Sequence, residues 1–76
     1  MFHLSTHSWP VNKVIKFTTF EEAANCAVIH TRQRKESVQI RRPSGDLLAD
    51  FLVHPDGKTV GVVGIGQGKA LIEAMA

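Results

Sequence analysis

The sequence predicts an α+β fold: a small antiparallel sheet in the order β-β-α-β-β-β-α, with one main helix packed on one face and a short C-terminal helix. Three observations predict it. Short runs alternate apolar and polar residues, the signature of half-buried strands. One longer stretch repeats its apolar residues at three- and four-residue steps, as an amphipathic helix does. The later runs are joined by tight turn sequences, which make neighbouring strands antiparallel.

Phe2 and Leu4 alternate with His3, Ser5 and His7, giving a first short strand. Trp9-Pro10 interrupts it, because proline cannot donate to a ladder and biases its predecessor toward extended geometry. Val11 to Phe17 alternates again, with Val11, Ile15 and Phe17 on one face beside the exception Lys13, and Asn12, Val14 and Lys16 on the other. A second strand is expected there.

Thr18-Thr19-Phe20-Glu21-Glu22 holds two overlapping capping boxes, Thr18 with Glu21 and Thr19 with Glu22. Both acids stand where the helix dipole favours negative charge. Phe20, Ala23, Ala24, Ala27, Val28 and Thr31 form the apolar stripe, and Arg32, Arg34 and Lys35 close the last turns. The spacing predicts a helix from about Thr19 to Arg34. Its small alanines let it lie close across a sheet.

Ser37 to Arg42 is the next strand, with Val38 and Ile40 inward and Gln39 and Arg41 outward. Pro43-Ser44-Gly45-Asp46 turns the chain into Leu47 to Val53, where Leu47, Ala49, Phe51 and Val53 share one face. His54-Pro55-Asp56-Gly57 is a second turn, and Lys58 to Ile65 is rich in the Val and Thr that favour strands. Gly64-Ile65-Gly66-Gln67-Gly68 ends that strand, and Lys69 to Ala76 reads as a short helix that needs docking to persist.

Length and composition bound the function. Seventy-six residues fit one domain, 1–76, and a chain of this size buries only about 60% of the surface its unfolded form exposes. A core then competes with any catalytic cleft for residues. Apolar residues make up 43% and charged residues 21%, the balance of a globular protein. The single Cys26 excludes an internal disulfide framework, and no apolar run reaches the roughly 20 residues of a membrane span. The first residues lack the basic start and apolar stretch of a signal peptide. The cytoplasm is the expected compartment, with no membrane partner.

No motif in the chain carries a catalytic or cofactor assignment. Gly61 to Lys69 follows a strand and precedes a helix, as phosphate loops do. A Walker loop, however, needs glycine at Val63 and Ser or Thr at Ala70, and a dinucleotide loop needs glycine at Lys69. The segment reads as a strand-to-helix connection with close backbone packing. His3 and His7 stand about 13 Å apart on an extended strand, too far for one metal ion, and His30 and His54 come from distant elements. Cys26 and His30 share a helix face at i, i+4, yet no third residue orients the imidazole and a mid-helix thiol gains nothing from the dipole. The expectation is therefore no enzyme, no metal and no cofactor.

Charge distribution points to binding instead. The net charge is +2, but His30 to Arg42 holds five cations (Arg32, Arg34, Lys35, Arg41 and Arg42) against Glu36 alone. A turn between the helix and the next strand would gather them into one basic patch for phosphates or an acidic protein surface. No aromatic residue is interleaved for base stacking. From Thr19 onward, the helix-strand-strand-strand-helix order resembles a double-stranded-RNA-binding domain. That family's lysine cluster at the last helix is reduced to Lys69, and Pro43-Ser44-Gly45-Asp46 replaces its Gly-Pro-His loop, so the resemblance is one of topology.

The outward strand face carries too many apolar groups. Leu48 and Leu52 flank Asp50 on it, and both faces of Lys58 to Ile65 are apolar. A sheet face without a helix over it needs another cover, either Phe2, Leu4 and Trp9 of the N-terminal arm or a second molecule. The sequence thus predicts a small non-enzymatic interaction protein of the accessory or inhibitor type known from bacteria and phages. Its expected partner is another protein, or a second copy in a homodimer, held through Arg32, Arg34, Lys35, Arg41, Arg42, Leu48, Asp50 and Leu52. The alternative is a nucleic-acid-binding module using the basic patch at 32–42.

Overall fold

The computed structural model describes residues 1–75. Its elements run β1 (Phe2–Ser5), β2 (Ile15–Phe17), α1 (Phe20–Arg34), β3 (Val38–Arg41), β4 (Leu47–Val53), β5 (Val60–Gly64) and α2 (Gln67–Met75). The five strands form one sheet in the order β2-β1-β3-β4-β5, and every neighbouring pair is antiparallel. This is the α+β architecture the alternation predicts. The second strand is shorter than its pattern, because the Pro10 turn extends through Lys13, whose amide bonds to the Pro10 carbonyl at 2.9 Å. Val11 is left fully exposed there.

Helix α1 begins as its capping sequence dictates. Thr19 is the N-cap, extended at φ −117°, and its hydroxyl accepts from the Glu22 amide at 3.2 Å. Of the two overlapping boxes, Thr19 with Glu22 is the one formed; the Glu22 carboxylate accepts from the Thr19 hydroxyl at 2.9 Å rather than from the cap amide. The helix stops at Lys35, which adopts the left-handed conformation at φ 58° and donates its amide to the Thr31 carbonyl.

The apolar stripe of α1 lies across the face made by Leu4, Val38, Ile40, Ala49 and Phe51. Phe2 meets Phe20 edge to face at 5.7 Å between ring centres, closing the core at the start of the helix. Helix α2 covers β4 and β5 on that same face. The shortest molecular dimension, 18 Å, is the thickness of a sheet with one helical layer. No helix among the described residues is long and apolar enough to cross a membrane.

Two features of β4 hold α2 in place. Ile40 pairs with Ala49 but Arg41 pairs with Leu47, so Leu48 is the extra residue of a β-bulge. Gly68, in the first turn of α2, rests directly on the Leu48 backbone: a Cβ there would fall 1.6 Å from the Leu48 carbonyl oxygen. The Ile65 amide donates to that oxygen at 3.0 Å, drawing the strand-to-helix connection onto the bulge. The helix therefore starts at Gln67, two residues before the position its apolar pattern suggests, and Ala76 lies outside the described residues.

The turn preceding β4 is built as its sequence predicts. The Gly45 amide donates to the Arg42 carbonyl at 2.8 Å, and Gly45 takes φ 98°, which only glycine adopts without strain.

Two substitutions test this packing. Thr31 is fully buried and its hydroxyl has no hydrogen-bond partner among the described residues. Thr31→Val removes that unpartnered group at constant shape, so urea denaturation should show a gain of about 1 kcal/mol. Gly68→Ala forces a methyl group into the β4 backbone and should cost roughly 2 kcal/mol or more by the same measurement. An unchanged midpoint for Gly68→Ala would mean that α2 does not sit on Leu48.

Candidate functional site

The expected site residues do not converge. Arg32 and Arg34 are exposed in the last turn of α1, at the end of the sheet where β3 begins. Lys35 extends its ammonium to the Gly57 carbonyl in the β4–β5 turn. Arg41 is the last residue of β3 and Arg42 follows it, at the opposite end of the strand about 10 Å away. Arg41 donates to the Gly45 carbonyl at 3.2 Å; Arg42 donates to Gln67 at 2.6 Å and sits 6.0 Å from the Phe2 ring. The single basic patch expected from the sequence is therefore divided, since a strand separates its two halves and three of its five cations are engaged within the chain.

Leu48 corrects a second expectation. It is 2% exposed and part of the core, because the bulge breaks the two-residue alternation that would have turned it outward. Asp50 and Leu52 do occupy the helix-free face. Asp50 is half-buried and accepts from Gln39 at 3.0 Å, while Leu52 is exposed. The register places Lys16, His3, Arg41 and Leu47 in one row and Ser5, Gln39, Asp50 and Val63 in the next, so that face is polar over β1 and β3 and apolar toward β4 and β5. The bulge also sets Leu47 opposite Arg41, not on the core face expected for it. All five aromatic residues lie elsewhere: Phe2, Phe17, Phe20 and Phe51 line the helical side, and Trp9 packs on His30 of α1 at 5.4 Å. The N-terminal arm thus completes the sheet and the helical layer instead of folding over the open face.

At the closing end of α1, Ser8, His30 and Glu36 meet. His30 Nε2 lies 2.8 Å from Glu36 Oε1, and the Ser8 hydroxyl donates to the same oxygen at 3.0 Å. These bonds, that of His30 foremost, hold the Glu36 carboxyl below its ordinary range. A serine nucleophile would have to give its proton to the imidazole. Here its hydroxyl donates a hydrogen bond to the carboxylate instead, and the cluster ties the β1–β2 connection to the helix end. Cys26 is half-buried on α1. Among the described residues no three His, Cys, Asp or Glu side chains converge as metal ligands.

One group of exposed apolar residues lies at the β5 edge, where Val62, Val63, Ile65 and Met75 stand together, while Met1, Val11, Val14, Ile15 and Ile29 are exposed on the N-terminal strands, their connection and α1. Val62 and Ile72 are shared by two adjoining depressions. One is an apolar cleft of about 160 Å³ between the helices, floored by Phe51 and Val62 and flanked by Met75. The other runs along β5 and is bounded by Lys69 and Glu73 of α2. The two sheet edges differ in kind. β2 is three residues long with Lys16 at its centre, the sort of short charged edge that resists further pairing. β5 reads Val-Gly-Val-Val-Gly, without a charge, a proline or a bulge. The two-sided apolar pattern of Lys58 to Ile65 was the sequence signal for this surface; Lys69, Glu73 and Met75 gave none, because the docking of α2 brings them there.

The turn before β5 sets its register. Asp56 accepts from the amides of Lys58 and Thr59 at 2.8 and 2.9 Å, and from the Thr59 hydroxyl at 2.6 Å. A comparison with protein-family models, curated proteins and solved structures finds no match to this chain.

The Thr59 hydroxyl, then the two amides, lower the Asp56 carboxyl from its ordinary 3.8 to about 2. A folded value below the unfolded one stabilises the protein above pH 3.8, and that contribution is lost as pH falls through 2. Asp56→Ala should lower the urea midpoint at neutral pH, and its deficit against wild type should vanish across that acidic interval. A deficit independent of pH would assign the loss to the backbone of the turn rather than to the carboxylate.

Proposed function

We propose that this chain is a non-enzymatic interaction protein that binds another protein along the apolar edge formed by β5 and α2. The observation carrying this reading is the unguarded β5 edge, apolar on both faces and continuous with the cleft between the helices. A strand with unpaired backbone groups and valine side chains recognises a second strand by main-chain hydrogen bonds and apolar contact. Exposed apolar surface concentrated in one place marks an interface, whereas the same residues scattered would need no explanation.

The basic residues support a polyanion less well. They are split between two ends of the sheet, and the aromatic residues that would stack on bases lie away from the open face.

The test is the size of the tagged chain in extracts of its source cells. Wild type should elute in a complex larger than its own 8.4 kDa. Val63→Lys should release the chain from it, and Arg32→Ala with Arg34→Ala should leave it intact. Loss of the complex on the arginine substitutions, with retention on Val63→Lys, overturns the reading in favour of a polyanionic partner.

A further inference from the structure

We infer that the partner at the β5 edge is a second copy of this chain, the two β5 strands pairing antiparallel about a two-fold axis through Val62 to form a continuous ten-stranded sheet. This rests on the interaction reading above and specifies its occupant.

The backbone supplies the first argument. The His54 amide donates to the Thr59 carbonyl and the Ile65 amide to the Leu48 carbonyl, which fixes the phase of the β4–β5 ladder. In an antiparallel strand, alternate residues turn both polar backbone groups to the same neighbour. Thr59, Gly61, Val63 and Ile65 therefore face β4, and Val60, Val62 and Gly64 present theirs to the open edge. Pairing about Val62 sets Val62 against its symmetry mate and Val60 against Gly64 of the second copy. Every outward group in the strand then meets another outward group.

Side chains fit the same register. Val60 lies opposite Gly64, and Gly61 opposite Val63, so each off-centre pair joins a valine to a glycine. An even register keeps faces matched: Val60 and Val62 stay on the helical side, and Val63 stays on the open side with Leu52. The symmetry also leaves both helical layers on one face of the joint sheet, which brings the two α2 helices side by side along the new seam.

Charge completes the case for a second copy over an unrelated strand. Lys69 and Glu73, four residues apart on α2, border the β5 edge, and both are exposed. Among the described residues neither forms an ion pair within the chain. A two-fold axis reverses their order, so each α2 brings one basic and one acidic group to the shared seam and meets the same pair running the other way, an isologous contact in which the same patch serves both subunits.

The purified chain tests this by sedimentation equilibrium. Its mass should rise with concentration toward twice 8.4 kDa. Val63→Lys should weaken the dimer by roughly tenfold or more while the circular dichroism spectrum is kept. Lys69→Glu and Glu73→Lys should each weaken it, and the two together should restore it. The amides of Val60, Val62 and Gly64 should gain protection from hydrogen exchange as the dimer forms. A wild-type chain that stays monomeric to about 1 mM overturns the inference, as does a dimer indifferent to Val63→Lys or a charge swap no better than the single reversals. If the purified chain is monomeric yet the extract complex still depends on Val63, self-pairing fails and the wider interaction reading stands. If neither depends on Val63, both fail.

Discussion

The seating of α2 on the β4 backbone governs much of what this small protein can do. Gly68 lies so near the Leu48 carbonyl oxygen that no side chain fits between them, and the same oxygen takes the Ile65 amide. A nine-residue helix has little stability of its own. Close backbone contact gives it a fixed place and extends the helical layer over β4 and β5. Without it, Leu48 would lose its cover, and Lys69 and Glu73 would have no defined position beside the edge strand.

The bulge at Leu48 makes that contact available. An inserted residue bends a strand and breaks the alternation of its side chains. Here it moves one leucine from the expected outward row into the core. The bulge sets Leu47 opposite Arg41 in its place, so the open face is polar over β1 and β3, with Lys16, His3 and Arg41 across one row and a Gln39–Asp50 hydrogen bond in the next, and apolar at Leu47, Leu52 and Val63. Part of the exposed apolar surface sits at the β5 edge, and Leu52 and Val63 carry it onto the adjoining open face. That location changes the kind of contact on offer, since an edge contributes main-chain hydrogen bonds as well as apolar area.

The two edges show how a five-stranded sheet manages its unpaired backbone. At one side, the sheet ends in the three residues of β2, with a lysine in the middle. At the other, β5 carries no such guard, although the chain has lysine on either side of it, at Lys58 and Lys69. Natural sheets usually blunt exposed edges, so an unblunted one is where association is expected.

Local chemistry by itself determined the strand and helix order, the Thr19 cap, the left-handed glycine in the turn before β4 and the alternation that puts Val38, Ile40, Ala49 and Phe51 in the core. Each depends on residues within about four positions of one another, and such short-range preferences survive in the fold. Tertiary structure decided the rest. The bulge that buries Leu48, the separation of Arg32, Arg34 and Lys35 from Arg41 and Arg42, and the arrival of Lys69 and Glu73 beside β5 all depend on how distant segments meet. Periodicity counts residues along one strand; it cannot register an extra residue demanded by a partner strand or by a helix resting on the backbone.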